Sequence, residues 1–237
     1  FCYNVRVINE SRIMANFNGS FNNMTTLAHE LGHGYHGECL REQSLLNSHY
    51  TMPLAETASI FCETIVTDAA YAQASEAAKL AILEHQISSA AQVIVDIYSR
   101  YLFETELIQR REDGSLSVAQ LKEAMKNAQM KAYGDGLAPE VLHPYMWINK
   151  PHYYSADNNF YNFPYAFGLL FGKGLYAEYL DNREAFVASY PQLLAETGKN
   201  SVAEIGSIAG IDVNQTAFWK KSLRMIEEKI DEFIRLA

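Results

Sequence analysis

Several things are scarce in this chain of 237 residues. Cysteine occurs three times, at Cys2, Cys39 and Cys62, far apart and without a CxxC spacing. Three thiols cannot all pair internally, and the default reading is reduced thiols in a cytoplasmic protein. No apolar run approaches the roughly 20 residues needed to cross a bilayer, so a membrane is not an expected partner. The start, FCYNVRVINE, lacks a basic segment followed by an apolar core, so no signal peptide is read there. It also lacks an initiator Met, which reads as a fragment or a processed form. Basic residues are few, 19 against 28 acidic, for a net charge of −9. A phosphate backbone is repelled on average and no Lys/Arg cluster offsets this, which argues against nucleic acid.

What is present is ordinary globular composition, 49% apolar and 12% aromatic, enough for one large or two small domains. Residues 3–19 carry β-branched and aromatic residues around an Asn/Glu/Ser turn and read as a short hairpin or two edge strands. From Thr25, a fair N-cap, the pattern turns helical and stays so to residue 237. Gly34 and Gly37 weaken the end of the first helix. Residues 38–53 read as a loop closed by Pro53, and a second helix starts near Leu54. A third pattern runs from about Ser75 to Arg111, with Leu80, Leu83, Ile87, Ala91, Ile94 and Ile97 in steps of three and four. GDGLAPE (134–140) is the clearest break. An aromatic stretch follows, and then three further helices, AFGLLFGKGLYAEYL, REAFVASYPQLLAETG and a last one from Thr216. The expected fold is mainly α with a small N-terminal β element, read as a single domain over 1–237.

The strongest chemical signal is His29-Glu30-Leu31-Gly32-His33, an HExxH on an expected helix. Two His at i and i+4 share a face and can converge on one Zn²⁺. Glu30 lies beside them and can reach a water at the metal without being a ligand. By chance alone such a motif arises roughly once in a hundred chains of this composition. A catalytic zinc needs a third protein ligand and an open position. The extended HExxHxxGxxH form fails, because residue 36 is His and residue 39 is Cys. Glu56, at the start of the next helix, is the candidate instead. Glu63, seven residues on, is placed to accept a hydrogen bond from a ligand His. Both Glu residues have a plainer reading as solvated helix carboxylates.

Amide hydrolysis builds a negative oxygen that neutral donors must stabilise. The stretch 151–165 offers His152, Tyr153, Tyr154, Tyr161 and Tyr165. Their plainer reading is aromatic packing, but Asn158, Asn159, Asn162 and two Pro in the same stretch suit a loop better.

AHELGHGYH, then LAETAS, then PHYYSADNNFYNFPYAFG, in that order, resemble the oligoendopeptidase F group of the M3 (thimet-type) zinc metallopeptidases. The entry segment SRIMANFNGSFNNMTTLAHELGHGYH and the C-terminal FWKKSLRMIEEKIDEFIRL resemble it too. The resemblance implies a zincin-like catalytic domain holding one zinc per chain through His29, His33 and Glu56. It implies Glu30 as the general base, and His152 and Tyr165 as donors to the tetrahedral intermediate, with Tyr154 and Tyr161 competing for any further Tyr role. His36 recurs in the family's extended motif and is not read as a ligand. The implied partners are oligopeptide substrates and, since family members are far longer, either an N-terminal domain of the same protein, this chain being a C-terminal fragment, or a separate chain with which it pairs. A severed domain should expose apolar surface where its partner packed. Two rival readings remain: a non-catalytic zinc-binding or interaction domain, and an amide hydrolase acting on a non-peptide substrate. His and carboxylate ligands also accept Co²⁺ or Mn²⁺.

Overall fold

The computed structural model describes residues 1–157 and 159–237; Asn158 of the aromatic stretch lies outside them. Ten α-helices and one two-stranded sheet are seen among these residues. The antiparallel strands β1 (Cys2–Val5) and β2 (Glu10–Ile13) pair Cys2 with Ile13 and Val5 with Glu10. The turn between them is Arg6–Ile8, closed by Asn9 at φ 50°. It falls earlier than the expected Asn/Glu/Ser turn, because Asn9 tolerates the left-handed region that tight turns require. Residues 14–19 are not strand.

Helix α1 (Phe21–Cys39) starts four residues before Thr25. Ser20 is its cap, and its hydroxyl accepts from the N–H of Asn23 at 3.3 Å. Thr25 and Thr26 instead turn their hydroxyls back onto the Asn22 carbonyl, as interior helix residues can. Gly34 and Gly37 do not end the helix. Asn4 of β1 donates to the His33 carbonyl at 3.2 Å, and a Cβ at Gly37 would sit 2.4 Å from the Asn4 side chain. The hairpin packs directly where those glycines leave room.

After a short turn at Leu45–Asn47 come α2 (Met52–Ala55) and α3 (Thr57–Gln73), with Glu56 as the hinge residue between them. The expected helix over 75–111 is α4 (Glu76–Ala91), a π-helical stretch at Gln92–Asp96, and α5 (Ile97–Arg111). Helix α6 (Val118–Tyr133) opens on a reciprocal Ser117/Gln120 capping box and stops at Gly134, φ 57°, the first residue of GDGLAPE. Then follow α7 (Phe163–Asp181), α8 (Arg183–Glu196), α9 (Val202–Ile208) and α10 (Thr216–Leu236).

The chain divides into two compact units. The first comprises 1–87 and 167–237. Its core joins α3 to α7–α10 through Leu54, Phe61, Phe171, Leu175, Leu194, Ile205 and Phe218. Phe61 makes ring contacts with Tyr176, Tyr179, Phe186 and Tyr190 at 4.7–5.8 Å between centroids. Burying each such side chain contributes about 1.5–3 kcal/mol. The second unit, 88–166, packs α5 on α6 through Phe103, Ala124, Met125 and Ala128. No helix among the described residues is long and apolar enough to cross a membrane.

Candidate metal centre

The site in the first unit is built on the contact between α1 and α3. Gly32, inside the HExxH, makes that contact possible. A Cβ there would lie 2.5 Å from the Ala58 carbonyl oxygen and 2.6 Å from the Ser59 Cα. With Gly in this position the two helix backbones touch, and Glu56 arrives beside the imidazoles. On its other side Glu56 is met by Gly168 of α7, where a Cβ would lie 2.5 Å from the Glu56 Cβ. Both glycines are there for closeness of approach rather than for flexibility.

His29, His33 and Glu56 converge, with one ligand atom from each within 4.8 Å of the others. Glu56 Oε2 is 3.1 Å from His29 Nε2 and 3.6 Å from His33 Nε2. Ser59 donates its hydroxyl to the same carboxylate oxygen at 2.8 Å. On its far side His29 meets Glu63, Nδ1 to Oε2 at 3.2 Å. That bond keeps Nδ1 as a donor and turns Nε2 toward Glu56. Burial opposes charge on His29, but the hydrogen bonds to Glu56 and Glu63 outweigh it and raise its pKa to about 9. Burial also works against the Glu56 carboxylate, and the bond to His29 with the two imidazole charges overcomes it, leaving its pKa lowered. His33 has no such second partner among the described residues, and its pKa is lowered, first by burial.

Glu30 is buried and lies close enough to the cluster for its charge to act on His33. Its Oε1 lies 3.3 Å from the nitrogen of Phe1, so the hairpin's first residue borders it. Its Oε2 is buried and has no hydrogen-bond partner among the described residues. His36 stands apart. It is fully buried, stacks on Tyr50 at 4.1 Å and bonds Thr197 Oγ1 at 2.8 Å.

The aromatic stretch belongs to the second unit. His152 is half-buried, and its Nδ1 accepts the Tyr161 N–H at 3.2 Å. Its pKa is lowered, first by burial and then by the Arg100 and Lys150 charges, which favours the neutral ring. Tyr165 is 42% exposed, and its ring meets Tyr161 edge-on at 5.3 Å. Tyr154 is exposed, with its hydroxyl 3.3 Å from the Ile148 carbonyl.

Residues 2–225 match the model of peptidase family M3. The chain belongs to that family. Oligopeptidase PepF of Bacillus subtilis (strain 168) is 25% identical over 227 residues, covering 94% of this chain and 33% of that protein. The chromosomal oligoendopeptidase F of Lactococcus lactis subsp. cremoris is 23% identical, over 94% of this chain and 37% of that one. Among solved structures, a Chlamydophila abortus protein assigned as a peptidase superposes with a TM-score of 0.84. It is 26% identical over 96% of this chain and 38% of its own. The oligoendopeptidase-F of Enterococcus faecium shares the fold at a TM-score of 0.76 and 22% identity, over 91% of this chain and 39% of its own. The M3 chain therefore spans about a third of the length of the relatives it matches.

The donor set of this M3 chain fits zinc. Three ligands at about 2.0–2.1 Å around a tetrahedral cation stand about 3.3 Å apart, and the Glu56 pairs measure 3.1 and 3.6 Å. Two imidazoles and one carboxylate are also the ligand types this cation takes. Sequence reasoning missed Ser59, which steadies Glu56, and the role of Gly32. Ser59 has no signal of its own, being one more small residue in LAETAS. Gly32 did carry a signal, a glycine in the middle of a helix, where it costs roughly 1 kcal/mol against Ala unless packing requires it.

Proposed function

We propose that this chain is the metal-binding catalytic portion of a zinc endopeptidase that hydrolyses peptide bonds in oligopeptides. The observation that carries the reading is the meeting of His29, His33 and Glu56 beside a buried Glu30 carboxylate with an unengaged oxygen. His29 and His33 through Nε2, with Glu56, would hold the cation, which when bound supplies Lewis acidity toward the scissile carbonyl. Glu30 is not a ligand. It takes the proton of the attacking water on a carboxylate oxygen and later returns it to the leaving amine. His152 donates from Nε2, and Tyr165 from its hydroxyl, to the carbonyl oxygen as negative charge develops there. Tyr161 and Tyr154 stand as the alternatives to Tyr165. The β1–β2 edge suits an extended peptide, whose main chain can add as a further strand. That mode tolerates varied side chains and supports oligopeptides as the substrate class. The cytoplasmic setting drawn from the three free thiols is part of the same proposal.

The rival reading, a zinc-binding domain without turnover, draws on the chain's spanning only about a third of its relatives. Hydrolysis of an internally quenched peptide, with and without a chelator, separates the two. The expected result is cleavage that the chelator abolishes and added zinc restores. Glu30→Gln should keep its zinc by elemental analysis and lose about 10²–10⁴ in kcat, the usual contribution of a general base. No cleavage by zinc-loaded chain favours the rival, and near-normal rates in Glu30→Gln exclude the mechanism.

A further inference from the structure

Inside the unit 88–166 lies a buried polar chain that the peptidase reading leaves unused. Asp96 on the π-helical stretch pairs with Arg100 of α5. Arg100 donates from Nη1 to Asn162 Oδ1 at 3.0 Å. Asn162 donates from Nδ2 to Glu104, also of α5, and the same nitrogen stands 3.5 Å from the Tyr153 hydroxyl. Asp96, Glu104 and Asn162 are all buried, Asn162 completely. Burying such groups offers little stability that well-packed apolar side chains would not match. What it does offer is directionality, since each donor and acceptor admits few orientations.

The orientation it fixes is that of the aromatic stretch. While the Asn162 side chain spans Arg100 and Glu104, its own carbonyl accepts the Tyr165 N–H at 3.1 Å, and its N–H bonds the Phe160 carbonyl at 3.0 Å. Phe160 sits at φ 50°, a conformation that a non-glycine residue keeps only where its surroundings over-determine it. Between the two, the Tyr161 N–H points at His152 Nδ1. A neutral imidazole that accepts at Nδ1 must carry its proton on Nε2.

We propose that Asn162 is a positioning residue: by spanning Arg100 and Glu104 it holds the Tyr161 N–H against His152 Nδ1 and so keeps His152 in its Nε2–H form. The catalytic consequence rests on the reading above, in which His152 donates from Nε2. The tautomer itself does not depend on that reading, which lets the two be tested apart.

The ¹⁵N shifts of the His152 ring nitrogens report the tautomer directly. The native chain should show Nε2–H, and Asn162→Ala should show a mixture, with the His36 signals unmoved as a check that the rest of the chain is folded. Should Asn162→Ala fail to fold, Arg100→Lys keeps the charge beside Asp96 but loses the planar fork that also reaches Asn162, and the same mixing is expected. Unchanged Nε2–H in the folded variant overturns the proposal. In a turnover assay Asn162→Ala should lower kcat tenfold or more with KM within about twofold. It should add nothing in a His152→Gln background, because the loss passes through His152. A full additional loss in that background means a merely structural role and also overturns it. If His152→Gln alone leaves kcat intact, the donor role of His152 fails, and the tautomer measurement still decides the role of Asn162.

Discussion

At the scale of single residues, the candidate metal centre is organised by hydrogen bonds as much as by the three candidate ligands. Glu63 determines which nitrogen of His29 faces the cluster, at 3.2 Å from Nδ1. Removing its charge while keeping its shape should let the ring turn and weaken the ligand's basicity. Glu63→Gln should therefore lower zinc affinity by about 10–100-fold, the usual cost of losing such a partner, as measured by competition with a chromogenic chelator. An affinity equal to that of the native chain would show that Glu56 and Ser59 orient the site without it. Tyr165 poses a different question, since its hydroxyl is assigned to the transition state alone. Tyr165→Phe should reduce kcat by about 10²–10³ with little change in KM, the pattern expected when one oxyanion donor is lost. Steady-state kinetics on a quenched peptide gives both constants, and an unchanged kcat would move the role to Tyr161 or Tyr154.

At the scale of elements, the decisive feature is the contact of α1 with α3, and Gly32 controls it. Gly32→Ala puts a methyl within 2.5–2.6 Å of α3 backbone, which cannot yield as a side-chain tip could. The helices must separate, at an expected cost of about 1–3 kcal/mol for overpacking, seen as a lower denaturant midpoint, and zinc binding should weaken with it. A variant of native stability and affinity would mean that α1 and α3 have slack that the backbone distances deny. This contact also marks how far the sequence could be read. The i, i+4 spacing puts His29 and His33 on one face from local geometry alone, and the search for a third ligand on the next helix leads to Glu56. Helix content was legible for the same reason, since periodicity is local. The start of α1 at Phe21 rather than Thr25 was not, because several Ser, Thr and Asn residues compete as caps and only the folded chain selects Ser20. The π-helical stretch at Gln92–Asp96 broke no pattern visible along the chain. The polar chain from Asp96 to Asn162 joins residues about sixty positions apart, a pairing that no local rule reveals.

At the scale of the whole molecule, the three candidate ligands all lie in one of the two compact units, the one formed by 1–87 and 167–237. Large side chains are exposed near its start, Val7 at 94% and Leu46 at 89%, with Phe1, Tyr3, Met14 and Phe17 also exposed. Zinc should stabilise the unit that holds its ligands by about 2.7 kcal/mol at a free concentration one hundred times its Kd. Local opening in 88–166, which holds none of the candidate ligands among its described residues, should have no direct share in that gain. Native-state hydrogen exchange on the metal-free and zinc-loaded chain measures this. Slower exchange is expected for the amides of α1 and α3, and little change for those of α5 and α6. Equal protection throughout would mean that the two units open only together, and protection confined to 88–166 would place the cation away from His29, His33 and Glu56.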